Sequence, residues 1–417
     1  MGGATVKDES SVLQFRDSGN SGDVPEPSVS ARGVLSGNPS HALVFDAHQG
    51  LAGLESLSPK WQRLAESLPD MTFLHLPQWY RVYLVSGRAD PAGIWFVTAH
   101  RGEELVAVFP LQFQKYDVKF LRPRLLGTIE DGELQLSDFI FAHSAANRGL
   151  FDALTDWLRR QKHLAWDELR LRKVREDSAI AFSANACLPR GTLTLRNDGS
   201  AYFDTRGSYD LATQAMSGTF KRNLRRLSRR AEESAPLRFQ SYRRPGELDQ
   251  AFEIFLEIEA SGWKGSTGTV SAIRCRPAAL AFYTGLVREF ALRDACVINL
   301  LWHGEQPVAG QFCLKFGKVL NVLKIGFSDA HASFAPGNLL LDRAIRQACD
   351  DVETYTLSLV NEPSWARNFK PLTLGVWTYN SPNWSLRGLL VHMALVIKRT
   401  RDAWKKQPAA AAVREDA

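Results

Sequence analysis

The sequence predicts an α+β fold built from two successive units, each a mixed, mainly antiparallel sheet flanked by helices. The chain has 417 residues, more than one compact core usually organises. Hydrophobic residues make up 45% and charged residues 23%, a balance typical of globular proteins that excludes a collagen-like, fully disordered or disulfide-framework chain. The same order of elements also occurs twice along the chain, without an obvious repeat of residues.

The first unit is expected to span residues 41–207, after a disordered tail at 1–40 that is rich in Gly, Ser, Asp and Pro. Short runs of β-forming residues on either side of Gly102 predict a hairpin. The predicted elements of this unit are strands at 94–99, 105–109, near 120–126 and near 134–141, a helix at about 147–161 and a strand at 168–172.

The second unit is expected to span residues 237–384 and to follow a basic linker helix within 208–236. Two helices precede a second hairpin, which turns at Gly304. The predicted elements are helices at about 247–259 and 277–292, strands at 295–302, 308–314 and 320–327, a helix at 339–349 and a strand at 354–359. Residues 385–417 are expected to form a basic amphipathic helix and tail that packs on the preceding unit or lies on a membrane surface.

The positive charge of the chain is concentrated in one decade. The formal net charge is +6, and residues 221–230 alone supply six cations without an acid: Lys221, Arg222, Arg225, Arg226, Arg229 and Arg230. The rest of the chain is neutral, which argues against a general polyanion binder but allows one basic site for coenzyme A phosphates, lipid head groups or RNA. The alternative is a solvated helix face that pairs with acids of a neighbouring element.

The sequence lacks several motifs, and their absence argues against several classes of site. The five cysteines are scattered without a Cys-x-x-Cys pair, which favours a reducing cytoplasm over a disulfide scaffold or zinc ribbon. The nine histidines form no metal-binding pattern, so no metal is expected. No Gly-x-Ser-x-Gly, Walker A or Gly-x-Gly-x-x-Gly motif is present. The start of the chain shows no secretory signal, and the longest apolar stretch, 389–397, is shorter than a membrane span of about 20 residues. A cytoplasmic protein is therefore expected.

Three segments carry candidate chemistry. Pro336 and Gly337 precede a predicted helix, where unpaired amides can bind phosphate or simply form a tight helix start. The glycine-rich loop that follows Glu259 contains Trp263 and Lys264, and reads either as a ligand-binding loop or as a flexible connector. Glu362, after the last predicted strand, fits either a general base or a structural acid.

The basic helix at 220–226, the loop at 259–269 and the strand and helix start at 323–340 resemble the CelD/BioF2-like acyltransferases, a cellulose-biosynthesis group of the GNAT superfamily. The resemblance spans about residues 44–380 and is specific mainly from Phe220 onward. It implies tandem GNAT-like folds, a degenerate first unit, and an acyl-CoA site in the second.

The resemblance also implies roles for individual residues. Pantetheine would bind along the strand formed by Val322, Leu323, Lys324 and Ile325. The pyrophosphate would bind at the helix start formed by Pro336, Gly337, Asn338 and Leu339. Glu259 is expected to act as the base or to recognise the amine, Glu362 is the second candidate, and Trp263, Lys264 and Phe327 would line the acceptor pocket. The chain departs from relatives at Phe327-Ser328, where a Tyr-Asp pair is common, and at residues 358–361, which lack an acid.

The function that the resemblance implies is N-acyl transfer, with acetyl as the first candidate group, from acetyl-CoA or another acyl-CoA to a small-molecule or sugar amine, linked to exopolysaccharide, cellulose or cell-envelope synthesis. A direct attack of the amine on the thioester needs no enzyme nucleophile. One alternative is a FemAB-like aminoacyl transferase that uses aminoacyl-tRNA bound by the basic helix. Another is a non-catalytic scaffold at a polysaccharide synthase on the inner face of the plasma membrane.

Overall fold

The computed structural model describes residues 12–14, 43–114, 122–129, 136–142, 148–178, 180–181, 192–262, 264–265 and 268–411. The strands in these ranges are β1 (Val12–Gln14), β2 (Leu43–Gln49), β3 (Ile94–Arg101), β4 (Glu104–Gln114), β5 (Leu125–Thr128), β6 (Ile140–Phe141), β7 (Glu168–Arg175), β8 (Leu193–Asp204), β9 (Leu237–Tyr242), β10 (Cys296–His303), β11 (Gln306–Phe316), β12 (Val319–Phe327), β13 (Thr356–Ser358) and β14 (Leu372–Pro382). The helices are α1 (Gly50–Glu66), α2 (Pro77–Val85), α3 (Arg148–Arg160), α4 (Tyr209–Ala212), α5 (Gly218–Glu232), α6 (Pro245–Ala260), α7 (Pro277–Ala291), α8 (Pro336–Asp350) and α9 (Leu386–Ala411).

The strands form one continuous sheet in the order β2-β3-β4-β5-β7-β14-β8-β13-β12-β11-β10-β9, with β1 beside β8 and β6 beside β4. Two pairs of named strands, β5–β7 and β12–β13, are parallel, and the other named pairs are antiparallel. The predicted α+β fold with a mixed, mainly antiparallel sheet is therefore confirmed. Within the tail expected to be disordered, the structure describes the short strand β1, and the rest of that expectation lies outside the described residues.

The two halves of the sheet exchange a strand at its centre. Strand β8, from the end of the first unit, pairs with β13, whereas β14, from the end of the second unit, pairs with β7. The two exchanged strands also pair with each other, from Leu372 opposite Tyr202 to Asn380 opposite Leu193. The expected boundaries at 207 and 237 consequently do not divide the sheet.

Neither exchanged strand was predicted from the sequence. The middle of β8 reads Arg-Asn-Asp-Gly at 196–199, which breaks the alternation that marks a strand, whereas β14 contains β-forming residues but is interrupted by Gly375 and ends at Pro382. Both form because each has a partner strand on either side, which satisfies the backbone whatever the local propensity.

One apolar core lies beneath both halves. Helices α1 and α2 of the first half and α6 and α7 of the second contribute to it. Trp79 of α2 packs edge-on against Phe282 of α7, with ring centroids 5.2 Å apart. The missing side chain of Gly285 leaves room for Val82 of α2, whose Cγ1 would lie 2.7 Å from a Cβ there. The halves are therefore joined both through the sheet and through helix packing.

The predicted basic linker belongs to the second half. Instead of one helix, the chain forms α4 and α5, and the Ser217 hydroxyl caps α5 by accepting a hydrogen bond from the Phe220 amide at 3.1 Å. Leu224, Leu227 and Ala231 are buried in the core shared with α8 and β11. The arginines of α5 therefore lie on its outer faces, as its spacing predicted.

Helix α9 packs on β14, the last strand of the unit that precedes it, where Arg399 donates to the Asn380 side chain at 2.9 Å, and also on strands of the first half. Val391 and Leu395 cluster with Leu125 of β5, while the buried Glu168 accepts from His392 at 2.8 Å and Arg399 at 3.3 Å. The opposite side of the helix exposes a row of apolar side chains, Leu386, Leu390, Met393 and Ile397. None of the described helices is long and apolar enough to cross a membrane. Contact with a membrane surface or a synthase stays a prediction.

A Gly127→Ala substitution tests whether the halves unfold together. A Cβ at Gly127 would overlap the carbonyl oxygen of Arg170, so we expect a loss of about 1–3 kcal/mol of unfolding free energy. Calorimetry should show one transition, shifted as a whole to lower temperature, because the halves share strands and a core. Gly93→Ala, where nothing lies within 4 Å of the new Cβ, is the matched control. Two resolved transitions, of which only one moves, would contradict the exchange of strands.

Candidate functional site

The parallel strands β12 and β13 separate to leave a gap in the second half. They pair only over Val319–Asn321 and Thr356–Ser358. Beyond that point the chain after β13 stays with β8, because the Leu359 amide donates to Ala201 at 2.8 Å and the Ala201 amide to Asn361 at 3.0 Å. Strand β12 diverges from β13 after a bulge at Leu323, where the register with β11 shifts.

The bulge turns backbone groups of β12 toward this gap. The Ser328 amide donates to Val308 of β11 at 2.8 Å, so the alternation of an antiparallel pair directs the backbone of Gly326 toward β11. The N–H and C=O groups of Ile325 and Phe327 consequently point away from β11, into the gap. Strand β12 is the strand predicted to bind pantetheine. Its open edge is the one that no longer pairs with β13.

Lys264 and Glu259 close one side of the gap. The Lys264 ammonium donates to the Ile325 carbonyl at 3.1 Å and lies 3.6 Å from Oε1 of Glu259, whose Oε2 accepts from the Ile273 amide at 2.8 Å. The helix carrying Glu259 approaches β12 closely, since a Cβ on Gly326 would lie 2.7 Å from the Glu259 Cα. The Glu259 side chain is only 1% exposed. It therefore positions Lys264 and has no exposed oxygen to offer an acceptor amine.

Helix α8 begins at the open end of β12. Ala335 precedes it in the left-handed region at φ 50°, and the amides of Asn338 and Leu339 both donate to the Ala335 carbonyl, at 3.0 and 3.2 Å. Among the described residues no acceptor faces the Gly337 amide, and the Phe327 ring lies 3.3 Å from where a Gly337 Cβ would be. Of the three amides expected to bind pyrophosphate, only that of Gly337 is thus unpaired.

A second Pro-Gly helix start shows that this motif alone is not informative. Pro245 and Gly246 begin α6, where the amides of Glu247 and Leu248 both donate to the Arg244 carbonyl. The hydrogen bonds match those at α8, yet no parallel strand pair separates in front of α6. The gap beside β12, rather than the Pro-Gly pair, distinguishes the start of α8.

Asp329 is a site residue that the sequence analysis missed. Its Oδ2 would lie 2.6 Å from a Cβ on Gly262, which places the exposed carboxylate against the loop that carries Lys264. The acid judged absent at Phe327-Ser328 therefore occurs one residue later. The sequence signal that could have identified Asp329 is its position only two residues after the end of β12. Trp263 lies outside the described residues, so its predicted place in the acceptor pocket remains a prediction.

Glu362 lies at the exchanged strands. Its Oε2 accepts a hydrogen bond from the Gly199 amide of β8 at 3.2 Å, and a Cβ on Gly199 would also crowd Thr373 of β14. The structure therefore does not bring Glu362 together with Glu259 and Lys264. Its contacts are those of a structural acid, which was the alternative to a general base.

The corresponding strands of the first half are bridged by side chains. The Thr128 hydroxyl of β5 accepts from the Arg172 backbone amide at 2.9 Å and donates to the Arg172 carbonyl at 3.1 Å. The Gln114 side-chain amide donates to the carbonyls of Thr128 in β5, at 2.8 Å, and Arg170 in β7, at 3.4 Å. These bonds hold β5 to β7 at the position that corresponds, in the second half, to the point where β12 separates from β13. The bridging accords with a first half that has no donor site, which remains a prediction.

Two histidines lie beneath the segment that leads into α8. The His331 and His303 rings are 5.9 Å apart, Phe334 packs on both, and Nδ1 of His331 is 3.1 Å from the Ser328 hydroxyl. Burial, together with the neighbouring His303, lowers the pKa of His331 below its ordinary value of 6.5. The segment that leads into α8 therefore contains a neutral imidazole, that of His331.

No group of three or more His, Cys, Asp or Glu side chains that could hold a metal ion occurs in the part of the chain that the structure describes. Burial raises the pKa of the Cys296 thiol to about 12 and that of Cys313 still further. These two thiols are therefore protonated and unsuited to act as nucleophiles or metal ligands.

Comparison with known families finds a similarity within the second half. Residues 218–363 match the family model described as "Acetyltransferase (GNAT) domain", which covers roughly a third of the chain. This range begins at α5 and contains the gap, the start of α8 and Glu259. A search of curated protein sequences finds no significant match.

Solved structures resemble the whole double fold. FemX superposes with a TM-score of 0.53 at 11% identity, covering 80% of this chain and 98% of FemX. The C-terminal domain of a putative lysylphosphatidylglycerol synthetase from Agrobacterium fabrum has a TM-score of 0.48 at 11% identity, with 82% and 97% covered. A tandem GNAT protein from the clavulanic acid biosynthesis pathway has a TM-score of 0.43 at 13% identity, with 81% and 98% covered. The likeness to FemX over the whole double fold, together with the GNAT-domain match in the second half, supports the tandem GNAT-like fold that the sequence predicted.

The lowered pKa of His331 predicts a pH dependence of stability. Below pH 6.5 the unfolded chain takes up a proton that the folded His331 resists, so the free energy of unfolding falls as the pH decreases through that value. In urea titrations at about pH 7.5 and 5.5, His331→Asn should lose less stability on acidification than the unmodified chain. His163→Asn, in the first half, serves as the control. An equal loss in the His331 variant and the unmodified protein would contradict the assignment.

Proposed function

We propose that the protein is an acyltransferase that moves an acyl group from acyl-CoA to an amine in the gap between β12 and β13. The observation that carries the proposal is this gap, which ends at the unpaired Gly337 amide of α8. The match of residues 218–363 to an acetyltransferase domain supports it, because the same residues build the gap. The first half, whose equivalent strands are bridged by Thr128, would serve as a scaffold.

The donor would bind as an additional strand on the open edge of β12. Pantetheine carries two amide groups, which can pair with backbone N–H and C=O groups that lack a neighbouring strand. Because Lys264 already holds the Ile325 carbonyl, the Ile325 N–H and the backbone of Phe327 are the groups left for the donor. The diphosphate would then reach the Gly337 amide at the positive end of α8.

The acceptor amine would enter beside Asp329. In the proposed reaction the amine nitrogen attacks the thioester carbonyl carbon, the C–S bond breaks, and coenzyme A leaves as its thiolate. The proton lost by the amine is taken up by a base and then passes to the sulfur, which yields the coenzyme A thiol. Asp329 is an exposed carboxylate at the mouth of the gap and would bind the amine and receive that proton. Glu259 would act only through Lys264, by keeping β12 and the loop in place.

Acetyl as the transferred group, a sugar or small-molecule amine as acceptor, and a role in exopolysaccharide or cellulose synthesis rest on the resemblance of the sequence. These points are parts of the proposal that rest on the sequence alone. The cytoplasmic location expected from the cysteines and the alternative of a non-catalytic scaffold also rest on the sequence alone.

Transfer from aminoacyl-tRNA is the second candidate, and the outer faces of α5 favour it. Arg222, Arg226 and Arg230 are exposed there, and in the described structure none of them has a carboxylate within ion-pair distance. A tRNA bound by these arginines would dissociate steeply as salt rises. Direct measurements of acyl-CoA binding and of tRNA binding distinguish the two candidate donors.

Replacing Gly337 by Asp tests the donor site. The new carboxylate would stand at the amide proposed to hold the diphosphate, so we expect acetyl-CoA to bind at least about tenfold more weakly by calorimetric titration. Gly246→Asp places the same charge at the second Pro-Gly helix start and is the matched control, which should bind as the unmodified protein does.

Three results would contradict the donor assignment. These are unchanged binding by the folded Gly337 variant, an equal loss in the Gly246 control, and an unmodified protein that binds no acyl-CoA. The last result, combined with salt-sensitive binding of tRNA, would support the second candidate. Acceptors can be screened with a panel of amines by following release of the coenzyme A thiol.

A further inference from the structure

A pocket with a cavity of about 140 Å³ lies between α5 and α8, outside the gap described above. Its walls combine one helical face from each element with the first residue of α4. The lining residues are Tyr209, Lys221, Leu224, Arg225, Ser228, Leu339, Asp342, Arg343 and Arg346. Four of these side chains are cations and one is an acid, so the lining carries a net charge of about +3.

The two cations on α8 are held in place by neighbouring side chains. Arg346 contacts Asp342 at 3.0 Å and lies over the Tyr209 ring, 3.5 Å from its centroid, while the Tyr209 hydroxyl donates to Asp342. Arg343 lies 3.4 Å from the Ser228 hydroxyl and 3.5 Å from Glu232. Burial and the hydrogen bond to Asp342 raise the pKa of Tyr209, so the phenol stays protonated. Both guanidinium groups are therefore fixed before any ligand arrives.

The two cations on α5 have no such partners. In the described structure no carboxylate lies within ion-pair distance of Lys221 or Arg225. They are one helical turn apart, and like charges at that spacing repel each other. The pairs 221/225 and 343/346 line the same pocket, one pair from each helix. An anion bound between them would remove this repulsion.

Charge and size indicate what kind of anion fits. Arginine guanidinium groups recognise phosphate through paired hydrogen bonds, and lysine adds a point charge. The cavity has room for a phosphate group rather than a whole nucleotide. Its lining along α8 begins at Leu339, in the first turn of the helix and two residues after the unpaired Gly337 amide, which does not itself line the pocket.

From these observations we propose that the α5–α8 pocket binds the 3′-phosphate of coenzyme A, and that it selects donors carrying this group. The inference rests on the proposed function, because it places the 5′-diphosphate of the same donor at Gly337. The ribose then spans the first turns of α8, and the 3′-phosphate lies among Lys221, Arg225, Arg343 and Arg346. The basic decade of the sequence thereby acquires a specific ligand on one of its faces.

The test compares coenzyme A with 3′-dephospho-coenzyme A, which differs only by the phosphate in question. By calorimetric titration we expect the unmodified protein to bind coenzyme A at least about tenfold more tightly. In a Lys221→Gln/Arg225→Gln variant this ratio should fall close to one, while the affinity for the dephospho form stays the same. Arg226→Gln/Arg230→Gln removes the same charge at the same spacing from another face of α5 and should keep the ratio.

Equal binding of the two compounds by the unmodified protein would overturn the pocket assignment and leave the donor site standing. A ratio that survives in the Lys221/Arg225 variant would do the same. If neither coenzyme binds, adenosine 3′,5′-bisphosphate is titrated alone. Binding that is lost in the Lys221/Arg225 variant then supports the phosphate pocket while the acyl-CoA donor fails. No binding overturns both.

Discussion

The pairing of β8 with β14 at the centre of the sheet is the constraint on which the rest of the structure depends. Each strand belongs by sequence to one half and by hydrogen bonding to the other, so neither half completes its sheet alone. The exchange also explains how the gap can exist. Because β13 is held by β8 on its other side, it keeps its position after β12 leaves, and the gap has one fixed wall.

The second wall is fixed by helix α6. The absence of a side chain at Gly326 lets the end of α6 approach β12, and Glu259 uses that proximity to brace Lys264 on the Ile325 carbonyl. A buried carboxylate bonded to a backbone amide and near an ammonium has its hydrogen-bonding needs met, so its burial is tolerated. The result is an open strand edge whose backbone groups are held in place before a donor binds, which lowers the entropic cost of binding.

The sequence predicted those features that depend on local patterns. Helices α6, α7 and α8, both hairpins and the Pro336-Gly337 helix start follow from spacing and composition within short segments. It did not reveal β8, whose polar Arg-Asn-Asp-Gly stretch lies between two partner strands, or β14, whose β-forming run is interrupted by Gly375. The burial of Glu259 and the position of Asp329 also depend on how α6 and its loop meet β12. The cations of the α5–α8 pocket come from segments more than a hundred residues apart, which only tertiary structure brings together.

Hydrogen exchange of the backbone amides in the presence of acetyl-CoA tests the central claim, that the donor binds as a strand on the open edge of β12. The account predicts protection confined to the Ile325 and Phe327 amides and to Gly337, with no change in β5 and β7 of the first half. Protection of β5 and β7 instead, or none at β12 when the donor is saturating, would contradict it.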